Sequence, residues 1–159
     1  MKENKKLRNG FTLIEILIVI GIISILATIV IVAINPARQF AQARNTQRLS
    51  NINAILNSIG QYMADNKGIL PSQINSTASN IGDGSGQIDL CALLVPDYMP
   101  VLTSEPTLTT GAMEDSQITR SECDSGQYDT GYTVMKDSNS RITISAPLAE
   151  LNQSISITR

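Results

Sequence analysis

The sequence predicts an α+β fold: a long N-terminal helix, apolar all round in its first half and amphipathic in its second, packed on a small antiparallel β-sheet. Three observations predict it. From Phe11 to Ile34 the chain is apolar except for Glu15 and the hydroxyls of Thr12, Ser24 and Thr28. Apolar residues then recur at three- and four-residue spacing from Leu49 to Met63. Near the C-terminus three short segments alternate apolar and polar side chains.

At 159 residues the chain has room for one compact domain and an attachment, not for two full domains. The formal net charge of −2 gives no electrostatic case for nucleic acid. Histidine is absent, which removes the commonest general base and metal ligand. There is no glycine-rich phosphate loop and no CxxC metal spacing. The acidic residues are scattered and read as a solvated surface. These features predict no enzyme, no cofactor and no metal site, and a chain that is a substrate of processing enzymes.

The charges are unevenly placed. Lys2, Lys5, Lys6 and Arg8 face only Glu3 in the first ten residues, and the rest of the chain carries eight basic against thirteen acidic residues. A helix over Phe11–Ile34 is long enough to cross the ~30 Å hydrocarbon core. The basic segment before it keeps the N-terminus cytoplasmic and sends the C-terminal bulk across the membrane. A secretory signal peptide fits less well, since its apolar region is only ~7–15 residues long and ends at a small-residue cleavage site, for which "AINPARQ" is a poor match.

Glu15 does not suit a plain anchor, because an ionised side chain in a bilayer demands a partner. Cleavage after Gly10 would supply one. It would leave a free amine on Phe11, four residues from Glu15 and on the same helix face. The pair could form within a chain or between neighbouring chains, where it would set register.

"KKLRNGFTLIEILIVIGIISILA" closely resembles the signal of type IV prepilins and pseudopilins: a basic leader ending in glycine, then Phe-Thr-Leu-Ile-Glu, then about twenty apolar residues. The resemblance implies a pilin-like fold and cleavage between Gly10 and Phe11 by a prepilin peptidase, with Phe11 N-methylated. Glu15 becomes the assembly glutamate. Many members kink at a proline inside the apolar run. Here the first proline is Pro36, so a kink or melted stretch is expected near Asn35-Pro36. The implied partners are other pilin subunits in a homo-oligomeric filament, the prepilin peptidase and an inner-membrane assembly platform. The implied location is a single pass in the cytoplasmic membrane with the C-terminal part outside, then an extracellular pilus.

The domain plan follows: residues 1–10 a cleaved leader, 11–34 the transmembrane and filament-core helix, 35–66 its amphipathic continuation, 67–159 a globular head. In the continuation Leu49, Ile52, Ile55, Leu56, Ile59, Tyr62 and Met63 form the apolar stripe, with Arg44, Arg48, Asn51, Asn57, Ser58 and Gln61 on the polar side. Gly68 supplies a left-handed cap and Pro71 blocks resumption. Residues 71–87, rich in Gly, Ser and Asn, read as loop. Leu90, Leu93 and Leu94 mark a short helix or turn, and Val101–Tyr128 shows no clear period. "GYTVM", "RITIS" and "SISIT" read as strands, with a turn at 137–140 and a connection at "APLAELNQ".

Cys91 and Cys123 bracket the aperiodic segment. An even count in an exported chain predicts one disulfide, and two unrelated buried thiols are the alternative. The structural reading is a subunit of a type IV pilus or pilus-like filament. The alternatives are a pseudopilin of a type II secretion system, or a membrane-anchored adhesion or binding module for which the helix is only a tether.

Overall fold

The computed structural model describes residues 10–108, 117–126 and 128–159. The basic segment before Gly10 and part of the aperiodic stretch lie outside them. The chain divides into two compact units, one ending at Gln39 and one running from Phe40 to Arg159.

In the first unit, α1 runs Leu13–Ile34 and contains no buried residue. It is long and apolar enough to cross a membrane, by length and composition. The hydroxyls of Ser24 and Thr28 donate to the carbonyls of Ile20 (2.7 Å) and Ser24 (2.9 Å), so neither is left unpaired in an apolar medium. The helix ends at Asn35, whose backbone is left-handed (φ 50°, ψ 80°). α2, Pro36–Asp65, begins at once. Proline suits that first position, because its missing N–H would be unpaired there anyway. Asn35 also accepts bonds from the N–H of Arg38 and Gln39 through its carbonyl. The interruption falls where the proline placement predicts it.

In the second unit, Ile52, Ile55, Leu56 and Ile59 of α2 are buried in one core with Tyr132, Val134, Ile142 and Ile144. Each such side chain contributes roughly 1.5–3 kcal/mol when fully buried. α2 stops where Lys67 and Gly68 both turn left-handed and the Gly68 N–H bonds back to the Met63 carbonyl at 2.7 Å. A four-stranded antiparallel sheet has the order β1-β4-β5-β6, with β1 Ser79–Gly82, β4 Asp129–Lys136, β5 Ile142–Ala146 and β6 Ile155–Thr158. A second, two-stranded sheet pairs β2 (Leu102–Thr103) with β3 (Gln117–Ile118). Two short helices, α3 (Cys91–Leu94) and α4 (Arg120–Ser125), complete the unit. The architecture is α+β and pilin-like.

The structure corrects the sequence reading at several points. β1 lies inside the stretch expected to be loop, because Ile81 finds a buried place and the strand pairs with β4 through a bulge between Asn80 and Gly82. β2, β3 and α4 occupy the segment without a period. Arg48, Asn51 and Ser58 are buried rather than solvated, and Leu49 is exposed. Among the acidic residues, Glu105 is buried too. The reason is pairing: Arg48 reaches inward to Glu105, Asn51 to Tyr132, and Ser58 bonds the carbonyls of Ala54 and Tyr98.

Candidate functional site

The residues expected from the sequence to be processed and to act in assembly, Gly10, Phe11 and Glu15, lie at the N-terminal end of α1. Gly10 is exposed with nothing within 4 Å of where a Cβ would stand. Phe11 is 84% exposed. Thr12 is extended (φ −83°, ψ 152°) and caps the helix, so the bond between Gly10 and Phe11 lies in non-helical chain just before the first turn.

Thr12 and Glu15 form a capping box. The Thr12 N–H donates to Glu15 Oε2 at 2.9 Å, and the Thr12 hydroxyl donates to the same oxygen at 2.7 Å. The Glu15 N–H returns a bond to the Thr12 hydroxyl at 3.2 Å. The carboxylate is therefore held by its own helix terminus, where the macrodipole also favours an anion. Because the helix starts at Leu13, Phe11 stands outside it and does not stack over Glu15 as a regular helix from residue 11 would require. Thr12, read from the sequence only as a small hydroxyl in the apolar run, is the cap of this helix. Its signal was present as Thr-x-x-Glu at the head of an apolar run.

In the second unit, Cys91 and Cys123 are joined, with Cα atoms 5.5 Å apart across 32 residues of sequence. The bond ties α3 to α4, and Arg120 adds hydrogen bonds from α4 to the carbonyls of Ala92 and Val95. Tyr128 braces the same corner: its hydroxyl donates to Asp89 at 2.6 Å and accepts from the Cys91 N–H at 3.1 Å. Burial, with Asp89 beside it, pushes that phenol well above its ordinary range.

A charged clasp lies near the start of this unit. Arg48 Nε donates to both oxygens of Glu105 at 2.9 Å, and Arg48 Nη1 donates to Glu150 at 2.8 Å and to Asn45 at 2.7 Å. Arg44 Nε donates to Glu150 at 2.7 Å. Asn45 exchanges bonds with the backbone N–H and carbonyl of Glu150 at 3.0 and 2.9 Å, and its amide also donates to the Gln153 side chain. Glu105 approaches β4 so closely that a Cβ on Gly131 (φ 72°) would stand 2.8 Å from its own Cβ. Only glycine fits that position. Tyr132 closes the network: its hydroxyl accepts from Asn51 at 2.9 Å, and burial pushes it up to about 12. Among the described residues no group of three or more potential metal ligands is found.

Residues 5–31 match the family model for the prokaryotic N-terminal methylation motif. Searches of curated proteins and of solved structures gave no match. The match covers residues 5–10, the Gly10–Phe11 junction, the capping box and most of α1. Over these residues the chain carries the type IV prepilin signal.

Proposed function

We propose that the chain is a structural subunit of a type IV pilus or pilus-like filament. It enters the cytoplasmic membrane as a prepilin through α1. A prepilin peptidase cuts between Gly10 and Phe11, and the new amine on Phe11 is methylated. An assembly platform then moves the subunit into a filament whose core is a bundle of α1 helices. The observation that carries this reading is the coincidence of the motif match at residues 5–31 with a helix that has no buried residue. An apolar helix left bare along its whole length has to be covered by lipid or by other helices.

Glu15 acts in two stages on this reading. Before assembly Thr12 holds its carboxylate. After cleavage the Phe11 ammonium of a neighbour becomes the stronger partner, since a charge-assisted bond to a cation exceeds one to a neutral donor. The exchange favours association and fixes the axial offset between chains.

Processing is tested by mass spectrometry of protein extracted from membranes. The expected mature chain starts at Phe11 and is N-methylated. A chain still starting at Met1, in cells with active prepilin peptidase, contradicts the proposal. Gly10→Val should block the cut, because a β-branched side chain crowds a cleft selective for glycine.

A further inference from the structure

The segment joining β5 to β6 is held in an unusual way. Leu151 and Asn152 both have left-handed backbones (φ 59° and 55°), a conformation that L-residues other than glycine adopt at a cost. The clasp of Arg44, Asn45 and Arg48 on Glu150 and Gln153 keeps them there. The side chains displayed are nevertheless apolar: Leu148 is 47% and Leu151 is 42% exposed. Phe40, 65% exposed, lies one turn before Arg44 on the same face of α2. Three large apolar side chains thus share the edge of the second unit at which its chain begins.

Covalent connection limits where that edge can be. Phe40 is six residues beyond Ile34, the last residue of α1. Six residues span at most about 20 Å, whatever direction α2 takes. The headgroup layer on each side of a bilayer is itself about 5–8 Å deep. Charge points the same way. No acidic residue occurs between Glu15 and Asp65, while Arg38, Arg44 and Arg48 all do. Arg44 and Arg48 are neutralised by Glu150 and Glu105. Among the described residues Arg38 has no ion-pair partner. A stretch of chain with no acidic residue from 16 to 64, and with Arg38 unpaired among the described residues, suits an anionic lipid surface.

We propose that Phe40, Leu148 and Leu151 form a rim that rests in the headgroup layer of the membrane holding α1 in the unassembled subunit. The proposal rests on membrane anchoring by α1 and not on filament assembly, so a cell without filaments would leave it standing. The clasp's function is to present the two leucines in one fixed conformation.

The chain contains no tryptophan, which permits a single-site probe. Full-length Leu148→Trp and Ile69→Trp proteins are each reconstituted in vesicles of phosphatidylethanolamine and phosphatidylglycerol, with and without brominated acyl chains. Ile69 is 65% exposed and lies past the other end of α2. An intact Cys91–Cys123 bond in both variants checks the fold. The expected result is a blue-shifted Leu148→Trp emission that brominated lipid quenches several-fold more than it quenches Ile69→Trp. Equal quenching at the two positions would overturn the rim, since the unit would then lie on lipid without preference. A blue shift without quenching would overturn it in favour of a second copy as the occupant. Emission at the wavelength of exposed tryptophan would overturn it as well.

Discussion

Glu150 sits between two guanidinium groups, and that position makes it sensitive to acid. Hydrogen bonds from Arg44 and Arg48 hold its carboxyl down to about 2, against an ordinary value of 4.5. A carboxyl whose folded value is depressed stabilises the fold fully above its unfolded value and loses that contribution as pH falls through the folded one. The stability gap between the wild type and Glu150→Gln should therefore be constant above about pH 4.5 and close between about pH 4.5 and 2. Thermal melts across that range check it, and a gap unchanged down to pH 2 contradicts it. The same cluster shows why some residues resist reading from sequence. Arg48 lies on what looks like the polar side of α2, yet it is buried because Glu105, 57 residues away, meets it. No local pattern encodes that meeting. Gly131, the glycine that lets Glu105 approach, looks only like the start of a strand. Thr12 was legible in principle, since Thr-x-x-Glu before an apolar run is a capping signature.

At the scale of elements, periodicity was enough wherever an element was long or one face was plainly apolar. α1, the stripe of α2 and strands β4 to β6 all announce themselves in this way. β1 does not, because Ser-Asn-Ile-Gly offers a single large apolar residue amid turn-forming neighbours. β2 and β3 are two residues each, too short for any period. They are placed by Leu102 and Ile118, which are buried in the core, and the staple joins the short helices α3 and α4. Removing the staple should therefore act locally first. The Cys91→Ser, Cys123→Ser double variant should lose about 2–5 kcal/mol of stability, the usual range for a native disulfide in a small exported domain. Hydrogen exchange should quicken in α3 and α4 well before the buried stripe of α2. Exchange that rises uniformly across the unit would show that the bond supports the whole core instead.

At the scale of the whole molecule, the chain combines a helix with no covering of its own and a unit that has a complete core. The second unit satisfies its buried charges internally, through Arg48, Glu105 and Glu150. The first leaves every residue of α1 exposed and keeps one carboxylate at its end, held among the described residues by the helix terminus. A passive tether needs the apolar surface but gains nothing from that carboxylate. An assembling subunit needs both, because bundling buries the helices and makes each Phe11 ammonium require a counter-charge. Breaking a buried pair by removing one partner costs about 3–5 kcal/mol, whereas an exposed pair is worth about 0–1 kcal/mol, and this difference separates the two accounts. The most direct measurement is the filament yield of cells producing Glu15→Val, with the mature N-terminus determined in parallel. Assembly through Glu15 predicts a protein that is abundant, membrane-inserted and cut after Gly10, yet yields no filaments. Normal filament yield from that processed variant would contradict it.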